Sequence, residues 1–110
     1  MKTIYKASAW VLTGLGILHT VLTPLFYSSL TEDALWFAGT GLGLLFLGLF
    51  NLAMLRAPAA HELCLAANIL GSVFGILIVV VMPAPQALLA LLAFLGVTVG
   101  CVFARVSLVR

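Results

Sequence analysis

Four long apolar runs, separated by short polar or proline-containing breaks, organise the chain. The runs cover about residues 5–27, 35–55, 63–82 and 87–108. A helix needs about 20 mostly apolar residues to cross about 30 Å of hydrocarbon, and each run is close to that length. Because backbone groups in lipid must hydrogen-bond within their own segment, each run is predicted to form a transmembrane α-helix.

The breaks between the runs carry signals for the ends of helices. Thr31, ahead of two acidic residues, is suited to cap the start of the second helix. Pro58 restricts the preceding residue and is expected to end that helix, and the segment "PAP" at 83–85 is expected to stop the third. Since the connections are short, consecutive helices should be antiparallel neighbours. The predicted fold is all-α, an up-down four-helix bundle forming one domain over residues 1–110.

Composition indicates that lipid is the solvent of this fold. The chain is 65% hydrophobic and 7% charged, whereas soluble domains are about 45–50% apolar and about 25% charged. Five Lys and Arg residues, none of them clustered, argue against a nucleic-acid-binding face. Cys64 and Cys101 lie in predicted helices without zinc-type spacing, so they are expected to be buried packing residues. We therefore expect an integral membrane protein in contact with the lipid bilayer.

Positive charge is concentrated at one end of the predicted bundle. The cations are Lys2 and Lys6 before the first run, Arg56 between the second and third, and Arg105 and Arg110 at the end of the fourth. The connection after the first run carries Glu32 and Asp33 instead. Because cytoplasmic loops are enriched in Lys and Arg, both termini are predicted to be cytoplasmic. The expected location is a cell membrane of the bacterial inner-membrane type, crossed several times.

Aromatic residues near the ends of the runs are expected at the two membrane interfaces, where amphipathic rings accumulate. The outer belt would contain Phe26, Tyr27, Trp36 and Phe37, and the inner belt Tyr5 and Trp10. These assignments follow from position along the runs alone.

The segment "GILHTVLTP", residues 16–24, places a histidine inside the first run. Counting 1.5 Å per residue, His19 lies about 10–12 Å below the outer interface. Ionisable residues inside a membrane usually face a partner or a cavity. Pro24 adds a free carbonyl, because its ring nitrogen cannot donate to the residue one turn earlier. The predicted ligand-binding set at this depth is His19, Thr20, Thr23, Thr40 and Trp36.

A second polar group lies nearer the cytoplasmic end. Asn51 of the second run and Asn68 of the third have similar depths and are expected to hydrogen-bond to each other. His61 and Ser72 continue the polar stripe of the third run. Such residues commonly hold membrane helices together, so these four are predicted to make interhelical polar contacts.

Small residues form ridges that allow helices to approach closely. Gly96, Gly100 and Ala104 recur every four residues in the fourth run. The ridge serves either packing within one chain or a homodimer interface, and both interpretations stay open.

The favoured functional hypothesis is binding of a lipid-soluble small molecule at the depth of His19. A quinone, an isoprenoid or a haem fits this description, and the cofactor is otherwise unknown. A haem held by two histidines of one chain is not expected, because His19 and His61 differ in depth by roughly 18 Å or more. No metal site and no catalytic constellation is visible, so the protein is not expected to be an enzyme.

Two alternatives remain. One is a small proton-coupled transporter with His19 as the titrating group. Chain length and four spans resemble the small multidrug resistance family in outline, but that family's glutamate in the first helix has no counterpart here. The other is an accessory or assembly subunit that packs against another membrane protein through its glycine ridges.

Overall fold

In the computed structural model, residues 2–109 form the helical fold, with side chains described for residues 2–104. The helices are α1 (Lys2–Phe26), α2 (Glu32–Arg56), a short 3₁₀ turn (Pro58–Ala60), α3 (His61–Val81) and α4 (Pro85–Val109). The described residues contain no β-strand, and the predicted all-α, four-helix class is confirmed. Arg110 and the side chain of Arg105, which contributed to the predicted charge pattern, lie outside the described residues.

Each helix begins two or three residues before its apolar run, because polar residues form the first turn. The side chain of Thr31 accepts a 3.2 Å hydrogen bond from the backbone nitrogen of Ala34, which confirms the predicted cap. At the other end of α2, Ala57 leaves the helical conformation directly before Pro58. Pro85 occupies the first position of α4, where a missing N–H costs nothing.

The four helices alternate in direction. The end of the bundle that holds Lys2, Arg56 and the end of α4 is called the terminal end below, and the opposite end the far end. α1 packs along α2 and along α4, and α3 packs along α4. Although α2 and α3 are consecutive, they touch little, which differs from the expected arrangement of sequential neighbours.

Glycine explains the close pairing of α1 with α2. A Cβ atom at Gly16 would lie 2.6 Å from the carbonyl oxygen of Gly41 and 2.7 Å from the Cα of Leu45. At Gly48 it would lie 2.6 Å from the backbone nitrogen of Thr13. Only glycine permits this approach of backbone to backbone. Because these α2 glycines face α1, α3 meets larger side chains of α2, such as Leu47, and stays farther away.

The small-residue ridge of α4 is used inside the chain. Gly96 faces Ser8 of α1, and a Cβ at Gly100 would lie 2.5 Å from the Cβ of Tyr5. Ala104 is half-buried at the same side. The ridge thus supports intramolecular packing, and a homodimer through Gly96, Gly100 and Ala104 stays a prediction.

Glycines also allow α3 and α4 to pack closely. Gly71 and Gly75 of α3 receive the ring of Phe94, whose atoms would lie 2.9 Å and 2.7 Å from Cβ atoms placed there. Phe94 is 3% exposed and fills the space between these helices toward the far end.

The outward faces of the helices are apolar. Large hydrophobic side chains are exposed on every helix, among them Leu25, Leu35, Val81 and Leu92. All four helices are also long and apolar enough to cross a membrane. Water is an unfavourable solvent for such a surface, so the fold indicates a multi-pass membrane protein.

A matched pair of glycine substitutions tests the α1–α2 contact. Gly16→Ala should destabilise the bundle by about 1–3 kcal/mol, because a methyl group cannot fit against the α2 backbone. Gly14→Ala, two residues away with nothing near its Cβ position, should leave stability unchanged or raise it slightly. Thermal unfolding in mild detergent measures both, and equal midpoints would contradict the packing described here.

Candidate functional site

A pair of amide side chains lies at the centre of the terminal half of the bundle. Asn51 of α2 and Asn68 of α3 exchange two reciprocal hydrogen bonds, each 2.7 Å long between amide nitrogen and amide oxygen. Both residues are fully buried. The amide nitrogen of Asn51 also donates to the carbonyl oxygen of Leu47 at 2.8 Å. The structure thus brings together the two asparagines that the sequence places at one depth.

Single hydrogen bonds connect this pair to α1, to α4 and to a second residue of α3. The Tyr5 hydroxyl of α1 donates to Oδ1 of Asn51 at 2.8 Å, and the Cys64 thiol donates to the same oxygen at 3.2 Å. The amide nitrogen of Asn68 reaches the carbonyl oxygen of Val97 in α4 at 3.3 Å. We call Tyr5, Asn51, Cys64 and Asn68 the core network, which connects all four helices.

Tyr5 was missed as a member of this network. Its expected position in the inner aromatic belt is wrong, since the side chain is 1% exposed. A signal is present in the sequence, because Tyr5, Ala9, Leu12 and Gly16 recur at helical spacing and all are buried. Trp10 lies on another face of α1 and is exposed.

Two further contacts between α3 and α4 flank the core network. Nε2 of His61 lies 2.7 Å from the carbonyl oxygen of Cys101, and since a carbonyl only accepts, Nε2 carries the proton. The Ser72 and Thr98 hydroxyls share a hydrogen bond of 2.8 Å. Thr98 also donates to the carbonyl oxygen of Phe94 within its own helix. Thr98 was not singled out from the sequence, because a threonine inside a helix usually bonds only to that helix.

The polar side chains inside the terminal half therefore use their hydrogen-bonding groups within the protein. Within the described residues, every buried side-chain nitrogen or oxygen has a hydrogen-bond partner. The described residues also contain no group of His, Cys, Asp and Glu that could hold a metal ion, and Cys64 and Cys101 are free thiols. Satisfied amides and hydroxyls of this kind hold helices together and leave no group for a ligand.

The histidine near the far end has different surroundings. The His19 imidazole stacks on the ring of Phe37 in α2, with ring centroids 3.8 Å apart and planes 18° apart. Phe26 and Tyr27 approach the same Phe37 ring at 5.8 Å and 5.4 Å in tilted or edge-on orientations. We call these four residues the aromatic site. Counted from the end of α1, His19 lies about 10 Å inside the helix.

The hydroxyls expected around His19 bond to their own helices instead. Thr20 donates to the carbonyl oxygen of Gly16 at 2.8 Å, and Thr23 to that of His19 at 3.0 Å. Thr40 donates to the carbonyl oxygen of Trp36 at 3.0 Å. The Trp36 side chain is 71% exposed and points away from the bundle. The hydroxyls therefore make no polar pocket with His19, and its nearest partners are aromatic.

The His19 imidazole keeps its hydrogen-bonding capacity. Among the described residues, none forms a hydrogen bond with its ring nitrogens, and the side chain is half-buried. Phe37 covers one face of the ring, and the two nitrogens lie at the ring edge. A polar edge next to a flat apolar surface can bind a planar molecule that has a hydrogen-bonding group.

Comparisons with protein-family models, with curated proteins and with solved structures found no match to this chain. The geometry of the aromatic site and of the core network is therefore the basis for assigning a function. The polar groups of the core network are hydrogen-bonded within the chain, whereas the ring nitrogens of His19 in the aromatic site can still form hydrogen bonds.

Removing one amide of the central pair should be costly. Asn51→Leu leaves Asn68 and Tyr5 without their buried partner, which should lower the free energy of unfolding by about 1–3 kcal/mol. The double variant Asn51→Leu/Asn68→Leu should cost less than the sum of the single variants, because neither amide is then left alone. Thermal unfolding in detergent measures the cycle, with Thr40→Val, an exposed hydroxyl, as a neutral control. Strict additivity would contradict direct coupling.

Proposed function

We propose that the protein is a multi-pass membrane protein that binds a planar, lipid-soluble molecule at the aromatic site. The observation that carries the proposal is the His19 imidazole stacked on Phe37 with its nitrogens unpaired among the described residues. A polar group in hydrocarbon costs free energy until it is hydrogen-bonded. A ligand that supplies this bond gains binding energy that water competes for only weakly at this depth.

The chemistry of the site favours a quinone over the other candidates. A quinone has a flat ring for the aromatic surface, carbonyl oxygens that accept a bond from the imidazole N–H, and an apolar tail that lipid accommodates. Haem would need His19 as an axial ligand, and His61 supplies no second one because its Nε2 is bonded to the Cys101 carbonyl. An isoprenoid alone would not use the imidazole.

The proposed orientation places both termini in the cytoplasm of a cell with a bacterial-type inner membrane. It is supported by Lys2, Lys6 and Arg56 at the terminal end and by Glu32 and Asp33 at the far end. In this orientation the aromatic site lies in the outer leaflet. The core network then lies in the inner leaflet.

Fluorescence quenching by decylubiquinone tests ligand binding at a defined site. The chain has two tryptophans, so Trp10→Phe leaves Trp36, which precedes Phe37 in α2, and Trp36→Phe leaves Trp10 at the terminal half. Saturable quenching of Trp36 and not of Trp10 is expected. His19→Phe keeps a ring for the stack on Phe37 but removes the nitrogens, so binding should weaken about tenfold, which corresponds to about 1.4 kcal/mol.

Unspecific partition of the quinone into micelles gives the contrasting result. Both single-tryptophan proteins would then be quenched to a similar extent, without saturation, and His19→Phe would behave as the parent. That outcome would remove the quinone hypothesis. A Soret band in the purified protein would instead indicate haem.

An assembly subunit is the second candidate, and one observation favours it. Gly39 and Gly43 of α2 are exposed with nothing near their Cβ positions, so a second helix could approach there. Native mass spectrometry in mild detergent separates the candidates. A monomer that retains a small molecule supports ligand binding, whereas a complex lost in Gly43→Leu supports assembly. Proton-coupled transport, the third hypothesis, requires uptake into vesicles that His19→Phe abolishes.

A further inference from the structure

A groove runs along the outside of the bundle at the terminal end, between the start of α1 and the end of α2. Its volume is about 790 Å³, within the range of about 300–1,000 Å³ that is common for small-molecule sites. The lining residues of α1 are Lys2, Lys6 and Trp10. Those of α2 and its end are mainly Leu49, Leu52, Ala53 and Arg56.

The upper part of the groove is cationic. Lys2 and Lys6 are four residues apart, on one face of α1, and Arg56 occupies the last turn of α2 across from them. All three are exposed, and the described lining residues include no Asp or Glu. An anion at this position would meet positive charge from both helices.

The lower part of the groove changes from amphipathic to apolar. Trp10 follows Lys6 by one turn, and the antiparallel α2 places Leu49 near the same depth. From Lys2 to Trp10 the groove descends about 12 Å along α1. Charge at the top, an indole below it and leucine at the bottom is the order of polarity along a phospholipid, from headgroup through glycerol esters to acyl chain.

We propose that this groove is a binding site for one anionic phospholipid. The phosphate group lies between Lys6 and Arg56, with Lys2 above it, and an acyl chain lies along Trp10 and Leu49. A cationic pocket between helices on the cytoplasmic side is a known setting for lipid headgroups. The proposal rests on the membrane placement argued above and is independent of the ligand at His19.

The rule that cations orient membrane proteins does not account for this arrangement. Orientation requires only that Lys and Arg lie near the cytoplasmic ends of the helices, on any face. Here Lys2, Lys6 and Arg56 line the walls of one groove, and Trp10 stands directly below Lys6. A free phosphate ion would use the cations alone, whereas the apolar lower half suits an acyl chain.

Lipid titration followed by native mass spectrometry tests the proposal. The protein in mild detergent should bind one phosphatidylglycerol more tightly than phosphatidylcholine with the same acyl chains. Each cation near the surface should contribute about fivefold to the affinity, so Lys6→Gln/Arg56→Gln should weaken phosphatidylglycerol binding about 25-fold. Lys6→Arg retains the charge and should remain near the parent affinity. Added salt should weaken phosphatidylglycerol binding to the parent protein, which requires no variant to fold.

Three results would overturn the proposal. They are equal affinity for the two lipids, an unchanged affinity in the double variant, and full displacement of phosphatidylglycerol by millimolar inorganic phosphate, which would indicate an ion site only. His19→Phe should leave phosphatidylglycerol binding unchanged. Failure of the quinone experiment therefore does not bear on this one.

Discussion

The reciprocal amide pair of Asn51 and Asn68 is the interaction on which the arrangement of the four helices depends. Between apolar helices in lipid there is little hydrophobic driving force, so packing and polar contacts must supply specificity. The pair connects α2 to α3, which otherwise touch little, and Tyr5 and the Val97 carbonyl extend the connection to α1 and α4. It fixes the register of one hairpin against the other, because sliding by one turn would break the bonds of Asn51 to Asn68 and to Cys64.

Glycine contacts hold the helices of each hairpin together, whereas the core network connects the two hairpins in the terminal half. Gly16 and Gly41 bring α1 and α2 together toward the far end, and Phe94 against Gly75 does the same for α3 and α4. The aromatic site consequently draws all its members from the α1–α2 hairpin and the connection that follows α1. The buried polar groups between the two hairpins all have hydrogen-bond partners within the described residues. The groups that could still bind a ligand, at the aromatic site and in the groove, belong to the α1–α2 hairpin.

The sequence predicts the four helices and their ends well, because hydropathy, proline and a threonine cap act locally. It also places Asn51 and Asn68 at one depth, since depth follows from counting residues along each run. The sequence does not predict that Phe37 is the partner of His19. Phe37 contacts the imidazole because of the register between α1 and α2, and the contact of Gly16 with Gly41 sets that register. Tyr5 was misplaced for a similar reason, since residue type suggested an interface whereas the helix face determines burial.

The hydrogen bond from Asn51 to the Leu47 carbonyl bears on how an apolar helix accommodates a polar side chain. This bond lies within α2, so it is available before α3 has been synthesised, and it shields half of the amide from lipid. The Tyr5 hydroxyl donates to the oxygen of the same amide, so the α1–α2 hairpin alone contains partners for both ends of the Asn51 side chain. A polar side chain that has partners within one hairpin thus becomes, through Asn68, the connection between the two halves of the bundle.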